Sequence, residues 1–180
     1  MKKIMAIAGE PGTGKTTLMW RFINQYTWET REDVKLVNTL YNKELDLHIL
    51  GKYEEGEKFA GTDRYSMAVQ PAAMEFVKNT TSSILFEGDR LTNAKFYDFL
   101  LELPRVHDVE FLILTANKNT LTERYEKRGS NQSDTFLKGR KTKIDNILAN
   151  FYYMDYREVF ANEDIKDQTF ILNHINHFFS

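Results

Sequence analysis

Residues 9–16 read GEPGTGKT and match the pattern G-x-x-x-x-G-K-[ST] in full. Glycine lets the backbone curl until its N–H groups converge on phosphate oxygens, and the N-terminus of a following helix adds positive potential. Lys15 is expected to reach the β- and γ-phosphates of a nucleoside triphosphate, and the Thr16 hydroxyl to ligate Mg²⁺. The whole predicted nucleotide-binding set is Gly9, Pro11, Gly12, Thr13, Gly14, Lys15, Thr16 and Thr17.

The surroundings of this phosphate loop (residues 9–16) indicate an α/β fold. Three apolar runs each lead into a stretch with helical spacing of apolar residues, which is typical of right-handed βαβ crossovers and a parallel sheet. The runs are KKIMAIAG (2–9), SSILFEGD (82–89) and VEFLILTA (109–116), and the helical stretches are 15–26, 93–103 and 119–128. We therefore predict one three-layer α/β domain over residues 1–180 with a parallel sheet.

The remaining patterns are less regular. VKLVNTL (34–40) and LDLHILGKY (45–53) resemble further strands, a helix is expected at 141–153, and QTFILNHINHFF (168–179) suggests a last strand and a short helix. Residues 51–62 and 129–139 are polar and contain glycine, so we expect them to be loops.

Composition limits the function. The chain of 180 residues has a formal charge of −2, which argues against binding nucleic acid through bulk electrostatics. It contains no cysteine, which excludes disulfides and thiolate metal sites. No apolar run approaches membrane-spanning length, so we expect a cytoplasmic protein without membrane partners.

The second apolar run ends in FEGDR (86–90), where two acids and an arginine follow one another closely. Glu87 and Asp89 are two residues apart and would lie on one side of an extended chain. Either carboxylate is suited to supporting Mg²⁺ or to activating an acceptor hydroxyl, while Arg90 is suited to gripping a substrate phosphate.

A similar pair lies in AGTDRYS (60–66). Asp63 is the first candidate for the general base that accepts the acceptor's proton, with Asp89 second, and Arg64 is a candidate clamp for phosphate or ribose. A structural alternative is that Thr62, Asp63 or Ser66 caps a helix that begins near Ser66.

A third feature is RYEKRGSNQSDTFLKGRKTK (124–143), in which many cations surround one predicted mobile segment. Small phosphotransferases use such a segment as a lid that neutralises the transferring phosphoryl group and excludes water. We assign Arg128 and Arg140 to phosphate binding in an arginine-rich lid over 124–143. The predicted catalytic set is Lys15, Asp63, Asp89, Arg128 and Arg140.

Two other classes of function were weighed. A guanine-reading N-K-x-D segment begins at Asn117 and Lys118, but Thr120 stands where the aspartate is needed. This departure argues against a guanine-binding GTPase. A nucleotide-binding switch or NTPase stays as an alternative to a kinase. His174 and His177 are spaced i, i+3, but they have no acidic or histidine partner nearby in the sequence, so a metal role is not expected.

The motifs GEPGTGKTT, FEGDR and RYEKRG resemble the nucleoside and nucleotide kinase branch of the P-loop NTPases. The longer strings LGKYEEGEKFAGTDRYSMAVQPAA (50–73), ILFEGDRLTN (84–93) and FLKGRKTKIDNI (136–147) resemble P-loop kinases of phages and some bacteria that include 5-hydroxymethyl-deoxyuridine DNA kinases.

This resemblance implies transfer of the γ-phosphate of ATP, with Mg²⁺, to the hydroxymethyl group of a pyrimidine in DNA. If the chain is phage-encoded, it would act in the host cytoplasm. Such an acceptor base must leave the stack, and Tyr53, Phe59 or Tyr65 would be placed to stack on it. The alternative acceptor is a free nucleotide, deoxynucleotide or nucleoside.

Overall fold

The computed structural model describes residues 1–180, and seven strands form one sheet. The strands are β1 (Lys2–Gly9), β2 (Glu29–Val34), β3 (Val37–Asn42), β4 (Leu47–Leu50), β5 (Ser83–Glu87), β6 (Val106–Thr115) and β7 (Arg157–Ala161). Their spatial order is β2-β3-β4-β5-β1-β6-β7. The pairs β4–β5, β5–β1, β1–β6 and β6–β7 are parallel, which confirms the predicted parallel sheet for most of its width.

One edge of the sheet departs from that prediction. Strand β3 runs antiparallel to both β2 and β4. Only Lys35 and Leu36 connect β2 to β3, and a connection this short can join only antiparallel strands. The predicted strand at 34–40 is therefore wrong in its bounds, because the chain turns at Leu36, which has a φ of 76°. The sequence analysis missed β2 and β7, whose residues are mostly exposed and lack an apolar run.

Six helices cover the two faces of the sheet. They are α1 (Lys15–Ile23), α2 (Gln70–Asn79), α3 (Ala94–Glu102), α4 (Lys118–Arg128), α5 (Asp134–Ala149) and α6 (Ile165–Phe179). Buried side chains of α2, α3 and α5 pack on one face in a core of 22 residues, and those of α1 and α6 pack on the other face in a core of 16. Successive side chains of β1 point to opposite faces of the sheet, so this strand contributes to both cores. Ile4 and Ala6 belong to one core, and Met5 and Ile7 belong to the other. This is the predicted three-layer α/β P-loop NTPase architecture.

Three predicted segments are corrected. Residues 134–139 are helical rather than a loop, because Ser133 accepts the Phe136 N–H at 3.2 Å and starts α5, in which exposed Gly139 is tolerated. Residues 168–179 contain no strand and belong to α6, whose buried residues follow helical spacing. The helix expected near Ser66 begins at Gln70, with Pro71 in its first turn.

The topology gathers the polar loops at one edge. In parallel strands the carboxyl ends meet on the same side of the sheet, where ligands of open α/β sheets bind. The phosphate loop follows β1, Gly51 follows β4 and Gly88 follows β5. No helix in the protein combines the length and the apolar character needed to cross a membrane.

Candidate active site

The phosphate loop connects β1 to the first residue of α1, Lys15. Its glycines have positive φ angles, including 84° at Gly12 and 88° at Gly14, which other residues rarely adopt. A Cβ at Gly12 would lie 2.8 Å from the Tyr125 ring, and one at Gly14 would lie 2.5 Å from Asn162 Nδ2. The loop is therefore a backbone cradle with no room for side chains on the packed side, which fits a bound phosphate chain.

The ammonium group of Lys15 folds back over this cradle. Its Nζ donates to the backbone carbonyl of Gly9 at 2.8 Å and to that of Glu10 at 3.1 Å. These carbonyls hold the ammonium at the phosphate loop.

Charges of both signs surround Lys15. Burial lowers its pKa, the negative charges of Glu87 and Asp63 raise it, and Arg128 and Arg140 lower it. Glu87, Asp63, Arg128 and Arg140 therefore all contribute to the electrostatic environment of the Lys15 ammonium group.

Glu87, the last residue of β5, is buried against the start of α1. Its Oε1 accepts hydrogen bonds from Thr16 Oγ1 at 3.1 Å and from the Tyr53 hydroxyl at 3.3 Å. Burial raises the pKa of Glu87 to about 7, although Lys15 opposes the shift. A carboxylate beside a threonine hydroxyl is an oxygen donor set that suits Mg²⁺, which takes one or two carboxylates and completes its shell with water and phosphate oxygens. Glu87 and Thr16 therefore fit the implied cation.

Glu87 and Asp89 do not lie on one side of an extended chain, and that expectation is wrong. Strand β5 ends at Glu87, Gly88 turns the chain with a φ of 117°, and a 3-10 helix begins at Asp89. Asp89 is instead paired with α5, through Arg140 and through Lys143 Nζ at 2.9 Å. The two acids consequently have different partners: Glu87 faces the phosphate loop, and Asp89 faces α5.

Asp63 lies beside this turn. Its Oδ1 accepts the backbone N–H of Asp89 at 2.8 Å and that of Arg90 at 3.3 Å, so it caps the 3-10 helix Asp89–Leu91. The expected capping of the helix after Ser66 is wrong, because α2 has Val69 at its N-cap and no side-chain cap hydrogen bond. Oδ2 of Asp63 has no hydrogen-bond partner in the protein, so the carboxylate keeps one free oxygen.

The backbone next to Asp63 is fixed against β5. Thr62 Oγ1 donates to the Glu87 carbonyl at 2.9 Å. Gly61 has a φ of 72°, and a Cβ there would lie 2.5 Å from Glu87 Oε1. This close approach holds the segment 60–66 against the carboxylate that faces the phosphate loop.

The two arginines predicted to bind substrate have other contacts. Arg64 Nη1 pairs with Glu54 at 3.1 Å, and Glu54 is exposed. Arg90 contacts Met67 Sδ, and its buried Nε has no hydrogen-bond partner. Both guanidinium groups retain unused donors.

The predicted lid spans the last five residues of α4, a short connection and the first part of α5, and its arginines lie in three places. Arg124 donates to the carbonyls of Gly12 and Asn162, each at 2.8 Å. Arg128 lines a cleft of about 330 Å³ with Gly14 and Thr17, at the end of the phosphate loop. Arg140 does not line that cleft and is paired with Asp89.

The three aromatic residues proposed to stack on a base differ in exposure. Tyr65 is only 4% exposed, and its hydroxyl donates to the Asn38 carbonyl, so it is part of the core. Tyr53 packs edge-on against Trp20 and uses its hydroxyl on Glu87. Phe59 is 56% exposed and is the one member of the three with a largely free ring.

Sequence reasoning missed several contacts of the site. Asn162 Nδ2 donates to the Thr13 carbonyl at 2.8 Å, and the Tyr125 hydroxyl donates to the Pro11 carbonyl at 2.6 Å. Asn162 and Thr13 are 149 residues apart, and no local pattern marks either contact. For Lys143 a signal existed, since it belongs to the predicted lid cations, but its pairing with Asp89 depends on the packing of α5.

Comparison with known proteins gives a family and a fold for this chain. A family model described as P-loop Nucleotide Kinase3 matches residues 1–176. A search of curated proteins gives no significant match. The fold is similar to that of a gluconokinase from Sinorhizobium meliloti 1021, with a TM-score of 0.53 and 12% identity over 98% of this chain and 96% of that one. An uncharacterized protein from Eubacterium ventriosum ATCC 27560 aligns over 98% of this chain and 99% of its own, with 18% identity and a TM-score of 0.47.

The likeness to the gluconokinase shows the fold alone at this level of identity. The family model carries more, because it covers nearly the whole chain, from before β1 to the last turn of α6. The matched residues include the phosphate loop, Glu87, the segment 60–66 and the lid 124–143. The chain belongs to the P-loop nucleotide kinase 3 family.

Proposed function

We propose that the protein transfers the γ-phosphate of ATP to a hydroxyl group of an acceptor bound beside Asp63. The observation that carries this proposal is the 3.1 Å hydrogen bond between Thr16 Oγ1 and Glu87 Oε1 at the phosphate loop. Lys15 is held over the same loop by the Gly9 carbonyl, and Asp63 is kept next to Glu87 by the hydrogen bond from Thr62 to the Glu87 carbonyl. Phosphoryl transfer depends mostly on positioning and on stabilising charge, and these residues supply both.

The nucleotide would lie along the phosphate loop and extend into the cleft next to α4 and α6. Loop N–H groups and Lys15 would bind the phosphates, and Arg128 in that cleft would lie near them. When bound, Mg²⁺ supplies neutralisation of the β- and γ-phosphate charge, and Thr16 and Glu87 are the residues that would hold it.

In the transfer, the acceptor oxygen forms a bond to the γ-phosphorus while the bond from that phosphorus to the β–γ bridging oxygen breaks, so that ADP leaves. The acceptor's proton passes to a carboxylate. Asp63 is the better supported base because its Oδ2 is free, whereas both oxygens of Asp89 are engaged by Arg140 and Lys143. Asp89 would instead position the two cations.

Our first choice of acceptor is the hydroxymethyl group of 5-hydroxymethyluracil in DNA. The support is the resemblance of the strings around GTDR and FEGDR to phage-type kinases, together with exposed Phe59 as a stacking surface for an extruded base. On this proposal the chain works as one domain, in the cytoplasm of the host if it is phage-encoded.

A free nucleotide, deoxynucleotide or nucleoside is the second candidate. It is favoured by the charge of −2 and by the small volume, about 250 Å³, of the cleft lined by Arg64 next to Asp63. The similarity to the gluconokinase does not identify an acceptor for this chain. Gluconate, a sugar acid, serves as a control in the test.

The test supplies γ-labelled ATP with 5-hydroxymethyluracil DNA, with the matching free nucleoside and nucleotide, and with gluconate. Label in DNA alone would support the first choice, and label in the nucleoside or nucleotide alone would support the second. Steady release of labelled phosphate with no labelled acceptor would contradict the kinase proposal and favour an NTPase or switch.

A further inference from the structure

A second cleft lies next to the segment that follows Asp63, and no residue of the phosphate loop lines it. Its volume is about 250 Å³, and its walls come from β2, the β2–β3 turn, the start of β3, the residues after β4 and the segment after Asp63. Leu36 and Tyr65 are its apolar members, and Asn38, Glu32, Lys52 and Arg64 are polar lining residues.

The register of the sheet fixes where this cleft lies relative to the reacting groups. Thr39 pairs with Leu50, and Leu50 pairs with Phe86, so Asn38, Gly51 and Glu87 follow one another across three adjacent strand ends. Asn38, which lines the cleft, and Glu87 are therefore two strand spacings apart, a distance of about 10 Å. Arg64 directly follows Asp63 in the chain, so one molecule of nucleotide length can reach both places.

The cations of the cleft are available to a ligand. None of the ion pairs in the protein includes Lys52, whose backbone is fixed by reciprocal hydrogen bonds with Gly61 at 3.1 and 2.9 Å. Arg64 uses one of its five N–H donors in an ion pair with Glu54. Because Glu54 is exposed, this ion pair contributes little to stability.

The acid of the cleft is already occupied. Glu32 Oε1 accepts the Leu36 N–H at 2.9 Å, and its Oε2 is 3.5 Å from Asn38 Nδ2. Glu32 therefore closes the β2–β3 turn, and the cleft sets two cations, Lys52 and Arg64, against this one carboxylate. A small polar cleft with two cations and apolar walls suits a phosphate attached to an organic group.

We propose that this cleft binds a phosphate group of the acceptor through Lys52 and Arg64 and thereby sets the distance between that phosphate and the hydroxyl at Asp63. The inference rests on the proposed kinase function and adds the class of acceptor, one that carries a phosphate as well as a hydroxyl. The phosphate has two possible sources, the 5′-phosphate of a free nucleotide or a phosphodiester of a DNA strand.

The test measures equilibrium binding first and transfer second. The probes are 5-hydroxymethyl-deoxyuridine, its 5′-monophosphate and a short DNA strand containing it, each titrated calorimetrically into wild type, Lys52→Gln and Arg64→Gln. The matched control is Lys58→Gln, an exposed lysine in the same 51–61 loop but outside the cleft. Binding of ATP to each variant reports whether the fold is intact.

Wild type should bind the phosphate-bearing probes more tightly than the nucleoside. Lys52→Gln and Arg64→Gln should each weaken that binding about tenfold to a hundredfold, the range for a charged hydrogen bond, and leave nucleoside binding unchanged. Tight monophosphate binding would assign the site to a free nucleotide. Tight binding of the strand alone, with a steep salt dependence, would assign it to DNA.

The cleft proposal is overturned if Lys52→Gln and Arg64→Gln weaken binding no more than Lys58→Gln does, or if the nucleoside binds as tightly as its phosphate. If both variants transfer phosphate to the acceptor hydroxyl as well as wild type does, the kinase function stands and the cleft proposal is wrong. If the phosphate-bearing probes bind in a way that depends on Lys52 and Arg64 but no phosphate is transferred, the cleft proposal stands and the kinase function is wrong.

Discussion

Thr16 Oγ1 donates a 3.1 Å hydrogen bond to Glu87 Oε1, although the two residues are 71 positions apart in the chain. The bond joins the first turn of α1 to the end of β5, and it places a hydroxyl and a carboxylate side by side at the phosphate loop.

Replacing Lys15 with alanine should lower the rate of phosphoryl transfer by orders of magnitude, because the ammonium stabilises phosphate charge as it develops in the transition state. The melting temperature should change little. Steady-state kinetics and thermal unfolding check both expectations, with Lys166→Ala on the exposed face of α6 as the control. Near-normal activity in Lys15→Ala would show that the phosphate loop is not the reacting site.

Glu87 makes the stability of the free protein depend on pH. Burial raises its pKa from 4.5 to about 7. Between those values the folded protein binds the proton and the unfolded chain releases it, so stability falls as pH rises from about 4.5 to about 7, by up to roughly 3 kcal/mol. Glu87→Gln has no such proton to lose, and its unfolding free energy should change less with pH.

Chemical denaturation of wild type and Glu87→Gln at pH 5 and pH 8 measures this difference. The variant should be the relatively more stable protein at pH 8, and it should bind Mg²⁺–ATP less tightly there because the cation loses a carboxylate. Parallel pH curves for the two proteins would contradict the raised pKa.

Asp63→Asn and Asp89→Asn should differ in their pH–rate profiles. If Asp63 accepts the acceptor's proton, its replacement removes the acidic limb of kcat/KM, while Asp89→Asn keeps that limb and weakens binding through displaced Arg140 and Lys143. Loss of the acidic limb in Asp89→Asn alone would reverse the assignment.

Gly61→Ala should destabilise the protein by roughly 1–3 kcal/mol, because the residue has a φ of 72° and its Cβ would lie 2.5 Å from Glu87 Oε1. Gly56→Ala is the matched control in the same loop. It has a φ of 81° but nothing within 4 Å of the new Cβ, so it carries backbone strain without the clash. Thermal unfolding should show a larger loss for Gly61→Ala, and equal losses would mean that the contact with Glu87 is unimportant.

Tyr125→Phe removes the 2.6 Å hydrogen bond to the Pro11 carbonyl and should cost about 0.5–1.5 kcal/mol of stability. Because that carbonyl belongs to the phosphate loop, affinity for ATP should fall as well. Tyr152→Phe, at a residue that is 80% exposed, is the control for both measurements. Unchanged ATP affinity in Tyr125→Phe would indicate that the loop keeps its shape without this brace.

Local features of the chain were sufficient for the phosphate loop and the strands and helices beside it. Gly12, Gly14 and Lys15 form a contiguous motif whose geometry depends on neighbours in sequence, and the apolar runs of β1, β5 and β6 are buried on both faces. Strands β2 and β7 escaped prediction because edge strands are mostly exposed and need no apolar run.

The candidate site was predictable as a set of residues but not as an arrangement. Glu87 and Asp89 were singled out from the sequence, yet their separation depends on the turn at Gly88, and the pairing of Asp89 depends on how α5 packs. Arg124 was grouped with the lid because it shares a helix with Arg128. Its hydrogen bond to the Gly12 carbonyl follows from the position of α4 against the loop.

The sequence by itself determined that this chain carries a phosphate loop between a buried strand and a helix, because backbone curvature and helix polarity are local properties. Only the tertiary structure decided which distant groups surround that loop. Tyr53, Asp63, Glu87 and Asn162 come together there because parallel strands deliver their following loops to one edge of the sheet, and that convergence is set by strand order and packing rather than by any short pattern.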